Sequence, residues 1–185
     1  MPFDLASLYS AGRSLSAVTI RAALDGDIDC LSAMVAQAAN MHAQIAPRYF
    51  RSCPPASTTL LRATLKTMIE SSATQQLFVA ICDARAIALA QVGIEEQPQK
   101  LFRHAGRVSR LSWLWVEKGF RRRGIAQDLL RAVEDWSRAQ DCREVMCHVL
   151  ASNGPSQSLF QASGYADQTR ILSFDLQPQN SAENR

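Results

Sequence analysis

Long apolar runs are missing from this chain: none approaches the ~20 residues that cross a membrane. The first residues also lack the basic start and apolar stretch of a secretory signal, so a cytoplasmic protein with no membrane partner is expected. Charge of one sign is scarce too. Lys and Arg number 20 against 17 Asp and Glu, and a net charge of +3 is too little for bulk attraction to nucleic acid. Cys30, Cys53, Cys82, Cys142 and Cys147 include no C-x-x-C pair, and 5 is an odd number. That points away from a disulfide framework and toward reduced thiols in the core. His42, His104 and His148 stand too far apart for metal-ligand spacing, so no metal is expected. Neither G-x-G-x-x-G nor G-K-S/T occurs, which removes the dinucleotide fingerprint and the Walker phosphate loop.

What is present is ordinary for a globular chain. Hydrophobic residues make up 47% and charged residues 20% of 185, enough for one domain with a buried core. Residues 1–16 read as an extension, 17–176 as that domain and 177–185 as a polar tail. Val18, Ile20 and Ala22 alternate with polar residues and predict a first strand. Asp25-Gly26-Asp27 supplies turn and cap chemistry, and Ile28, Leu31, Val35 and Ala38 predict a helix from Asp27 to about Gln44. Pro47, Pro54 and Pro55 break the pattern; Ser57 or Thr58 can cap a second helix carrying Leu61, Leu65, Met68 and Ile69. Leu77–Ile81 and Ala86–Ile94 read as a hairpin turning at Cys82-Asp83-Ala84-Arg85. Gln97–Gly106 is a polar link. A strand is expected at Glu144–Val149, a short helix from Pro155 to Ala162 ended by Gly164, and a last strand over 171–176.

The informative stretch is 111–136. Leu111–Val116 is an apolar and aromatic run of strand length, with Trp113 and Trp115 on one side of it. Ile125, Leu129, Val133 and Trp136 then mark one buried face of a helix. Between them lie Arg121, Arg122, Arg123, Gly124 and Ala126. The first amides of a helix lack internal partners and its dipole favours negative charge, so this turn can seat a phosphate. Gly124 has no side chain to hold a ligand off the backbone and Ala126 is nearly as small.

Arg121-x-x-Gly124-x-Ala126 in this strand–turn–helix setting resembles the Q/R-x-x-G-x-G/A pyrophosphate motif of the GNAT superfamily of acyl-CoA-dependent N-acyltransferases. The resemblance implies an α/β fold with a mixed central sheet of about six or seven strands flanked by helices. It implies acetyl-CoA as co-substrate and transfer of its acetyl group to a primary amine, by direct attack in a ternary complex. The pyrophosphate would lie on Arg123, Gly124, Ile125 and Ala126, with Arg121 or Arg122 adding charge-assisted contacts. The pantetheine arm would run beside Leu114, Trp115 and Val116, with a bulge in that strand and a splay from the next one. An N–H near Val116 would stabilise the oxyanion. Asn153, with Ser156 and Phe160 after it, matches the asparagine that contacts the pantetheine side.

A lysine-like amine, with a pKa of ~10.4, must lose a proton before it attacks. Glu95, Glu96, His42 and His104 are candidate bases, and Ser112 occupies the position where relatives carry an acid. Water held by Ser112 or His148 is another route, although a strand histidine is more often packed in the core. Phe160 replaces a tyrosine that protonates the departing thiolate in relatives, leaving Ser156 or Ser158. Those two departures make a non-catalytic CoA-binding module the second reading. The arginine run makes nucleic-acid binding the third, disfavoured by the small net charge. His42, Tyr49 and Phe50, in or beside the link that borders the acceptor in the family, could shape acceptor choice. A homodimer paired through edge strands is compatible with this fold.

Overall fold

The computed structural model describes residues 17–173, apart from 72, 100, 102–104 and 170. Five strands make one mixed sheet in the order β1-β2-β3-β4-β5. β1 (Thr19–Ala22), β2 (Gln75–Cys82), β3 (Arg85–Gln97) and β4 (Gly106–Val116) are antiparallel neighbours, and β5 (Val145–Cys147) lies parallel to β4. A parallel step needs a crossover, here α3 (Ile125–Ala139). α1 (Ile28–Ile45) and α2 (Thr58–Glu70) lie between β1 and β2, and α4 (Gly154–Ala162) follows β5. None of the described helices is long and apolar enough to cross a membrane.

Both faces of the sheet are covered, which is why β2 and β3 read as near-continuous apolar runs. On one face Ala80, Ala88, Ala90 and Val92 pack with Ile125, Leu129, Leu130 and Val133 of α3 and Phe160 of α4. The alanines of β3 let α3 lie close. On the other face Leu77, Val79 and Leu89 pack with Leu31 and Met34 of α1 and Leu65 of α2. The β2–β3 turn is Asp83-Ala84 alone, with φ of 49° and 59°, the left-handed pair that a two-residue hairpin demands.

One irregularity governs the rest. Gln91 pairs with Trp113 and Val92 with Leu111, so Ser112 is an extra residue in β4, a bulge. It inverts the alternation. Leu111 packs on the α3 face, and Trp113 and Trp115, two and four residues on, pack on the α1–α2 face. The pair do share a side, as the sequence suggests.

Several expectations need correction. The described residues form five strands, not six or seven. Ile171–Ser173 is irregular, with Ile171 and Leu172 85% and 92% exposed: alternation makes a strand only where a neighbour can pair with it. The remainder of that expected strand, the extension 1–16, the tail 177–185 and His104 lie outside the described residues. The strand expected at Glu144–Val149 shrinks to Val145–Cys147, because its ladder to β4 ends at Leu111–Cys147. His148 is therefore past the sheet and exposed rather than in the core. Neither Ser57 nor Thr58 caps α2 with its side chain. A 3-10 turn over Pro55–Ser57 leads into the helix and holds Ser57 in a helical conformation, and the Thr58 hydroxyl donates back to Pro55 O at 2.8 Å.

Leu129→Ala should lower unfolding free energy by about 2–5 kcal/mol, since its fully buried side chain would leave a cavity between α3 and the sheet. Leu60→Ala, on the exposed side of α2, should stay within about 0.5 kcal/mol of wild type. Urea unfolding midpoints check both.

Candidate active site

The bulge gives β4 two different halves. Ser109 and Leu111 are bridged to β5, whereas among the described residues no strand pairs with β4 on that side beyond Leu111, and only Val116 O is met there, by Arg121 Nε. Glu117 N–H donates to Ile87 O at 3.0 Å, across to β3. Alternation then turns the peptide groups of Leu114 and Val116 away from β3 and into the gap where β5 has diverged. This is a slot with a polar peptide edge. Ser112 is exposed at its fork and His148 stands opposite, one residue past the last paired residue of β5.

At the other end of β4 the chain turns into α3. A 3-10 turn over Lys118–Phe120 precedes Arg121; Arg122 has φ of 63° and Gly124 φ of 81°. Gly124 is the N-cap, with no side chain capping the helix, and its carbonyl accepts the first helical bond from Asp128 N–H at 3.0 Å. A Cβ built on Gly124 would meet no atom within 4 Å. No side chain caps the leading amides of α3, and the positive end of the helix dipole lies behind them.

The three arginines differ. Arg121 is folded back: its Nε donates to Val116 O at 2.9 Å and its guanidinium lies 4.6 Å from the Trp115 ring centroid. It ties the turn to the end of β4. Arg123 lies over Phe120 at 5.5 Å, and Arg122 and Arg123 are both exposed. Ile125 is core, and Ala126 packs against the same cluster.

Asn153 is buried and caps α4, its Oδ1 accepting from Ser156 N–H at 3.3 Å. Its Nδ2 donors are not used in that cap. Ser156 is half-buried and Ser158 exposed. Phe160 is buried edge-on to Tyr165, with ring centroids 5.2 Å apart, so it belongs to the core beneath the slot. Cys147 ends the paired part of β5 half-buried, and burial pushes its thiol up. His42 stacks on Phe50 at 5.3 Å, and Tyr49 hydrogen-bonds Ser173 at 2.6 Å, which fastens the α1–α2 link to α1 and to the later segment.

Glu95 does not stand alone. Arg110 Nη2 donates to its Oε2 at 2.7 Å, Arg110 Nε donates to its Oε1, and Arg110 Nη1 lies 3.3 Å from His148 Nε2. A guanidinium only donates, so the last contact makes His148 Nε2 the acceptor and leaves the ring proton on Nδ1. Glu96 accepts from Arg107 Nε at 2.8 Å. Sequence reading missed Arg110; its one signal was the position two residues before Ser112, which carries meaning only once β3 lies alongside.

The Arg110 hydrogen bonds hold the Glu95 carboxyl below its usual range, against the opposing effect of burial. A depressed carboxyl contributes stability that is present above the unfolded pKa of about 4.3 and is lost as pH falls through the lower folded value. Glu95→Gln should therefore lose less stability than wild type between about pH 5 and about pH 3, read as the shift in urea midpoint.

The chain matches the family model described as the acetyltransferase (GNAT) family over residues 39–165. It is 30% identical over 97 residues to aminoglycoside N(6')-acetyltransferase type 1 of Salmonella typhimurium, covering 52% of this chain and 66% of that protein. The enzyme of the same name from Klebsiella aerogenes is 26% identical over 92 residues, 50% of this chain and 59% of its own length. Thus the matched part spans just under two thirds of these curated relatives. Among solved structures, a mutant of the BH1408 protein of Bacillus halodurans superposes with a TM-score of 0.79 at 17% identity, over 86% of this chain and 99% of that one. Aminoglycoside N-acetyltransferase AAC(6')-Iy in complex with CoA gives 0.68 at 22% identity, over 91% and 98%. At those identities the likeness speaks for the fold alone. With a family match that takes in α1 from Ala39 onward, the whole β3–β4–α3 unit and α4, this chain belongs to the acetyltransferase (GNAT) family.

Proposed function

We propose that this protein transfers the acetyl group of acetyl-CoA to a primary amine of a small molecule, by direct attack in a ternary complex. The observation that carries the reading is the continuity of two features on β4: the uncovered amides at the start of α3 and the peptide edge of Leu114 and Val116. A diphosphate on the first, backed by Arg122 and Arg123, leads a pantetheine arm along the second. In this reading Arg121 shapes the turn, Trp115 supports it from the core, and Asn153 reaches the arm through Nδ2. The thioester then lies at the fork beside Ser112, with the Val116 N–H as oxyanion donor.

The acceptor amine forms a C–N bond to the acetyl carbonyl, the C–S bond breaks, and CoA leaves as thiolate. The amine proton passes to water held at Ser112. Glu95 is paired with Arg110 and holds its guanidinium toward His148. The thiolate takes a proton from Ser156 or solvent. Phe160 offers none, and its burial against Tyr165 favours the second reading, a CoA-binding module without turnover. Acceptor-dependent thiol release separates the two.

Gly124→Asp and Gly124→Asn both tolerate the left-handed backbone and differ only in charge. By isothermal titration the Asp variant should bind acetyl-CoA at least about tenfold more weakly than the Asn variant, ~1.4 kcal/mol. Equal affinities would place the diphosphate elsewhere.

A further inference from the structure

Acetyl transfer leaves the acceptor open, and the charges around the fork narrow it. Every carboxylate on β3, β4, β5 and their junction at Glu144 is already engaged by an arginine: Glu95 by Arg110, Glu96 by Arg107 and Glu144 by Arg143. Each of these pairs is neutral, and both of its side chains reach solvent. Arg110 uses three of its five N–H groups on Glu95 and His148, which leaves two. His148, with Nε2 accepting, offers Nδ1–H, and the exposed Ser112 hydroxyl lies between β4 and β5 at the same level.

We propose that the acceptor is a small primary amine that also carries an anionic group, a carboxylate or a phosphate, held at the fork by Arg110 and His148. A polyamine would meet donors and cations here, with no unpaired carboxylate in these elements to receive its extra charges. The same cations favour the neutral, attacking form of the reacting amine. This inference rests on the acetyl-transfer reading.

The test is thiol release from acetyl-CoA with four acceptor sets at matched concentration: ω-amino carboxylates, aminoalkyl phosphates, neutral monoamines and polycations (spermidine and an aminoglycoside). One of the two anionic sets should exceed the polycations in kcat/KM by at least about tenfold, and which of them leads identifies the anion. Arg110→Gln should raise KM for that acceptor by about tenfold with a smaller change in kcat, while acetyl-CoA titration confirms that the variant is folded. Polycations leading the panel, or an unchanged KM in Arg110→Gln, would overturn the inference and leave acetyl transfer standing. Acetyl-CoA binding with no release for any acceptor would overturn both.

Discussion

A single extra residue in β4 sets the geometry on which everything else depends. Without Ser112 the strand would keep one alternation from Gly106 to Val116, and the side of β4 that bonds to β5 would do so throughout. The bulge breaks the ladder after Leu111. It moves Trp113 and Trp115 onto the α1–α2 face and turns the peptide groups of Leu114 and Val116 toward a gap. A strand edge left unpaired inside a sheet costs hydrogen bonds unless something else supplies them. An extended amide-bearing ligand arm is a natural supplier, so the defect in the sheet and the proposed cofactor path are one feature.

The turn at the end of β4 shows a similar division of labour. Arg121 commits its guanidinium to the Val116 carbonyl and the Trp115 ring, while Arg122 and Arg123 remain outward. One arginine therefore fixes the angle at which strand passes into helix, and its neighbours keep their charge available. Gly124 completes the arrangement, because φ of 81° costs an L-residue with a Cβ on the order of 1–2 kcal/mol. Binding by backbone amides has a further consequence. The seat is defined by the path of the chain, so its accuracy depends on how firmly α3 packs through Leu129, Leu130 and Val133.

At the fork, unlike the turn, the charges are paired. Carboxylates of β3 and guanidiniums of β4 neutralise one another in pairs, and Arg110 joins Glu95 of β3 to His148 just past β5. Such pairing is worth little to stability where both partners are solvated. Its effect lies in direction: it fixes which side chains present hydrogen-bond donors at the place where β4 and β5 part.

Much of this was legible in the sequence. The 3.6-residue spacing of Ile125, Leu129 and Val133, the glycine between strand and helix, and the Asp83-Ala84 hairpin are local signals, and local physics alone produces them. Length-scale arguments failed where a neighbour was needed: Ile171–Ser173 alternates like a strand but pairs with no described strand, and His148 reads as a strand residue although the ladder has ended before it. The sequence by itself determined the core faces of the helices, the glycine turn between β4 and α3 and the candidates Gly124, Asn153 and Ser112. Only the tertiary structure decided that Ser112 is a bulge, that Arg121 folds back onto the Val116 carbonyl and that Glu95 is bound to Arg110. The reason is register. Which residue lies opposite which across a sheet is set by the summed fit of both strands and the helices on them, and no window of a single strand contains that information.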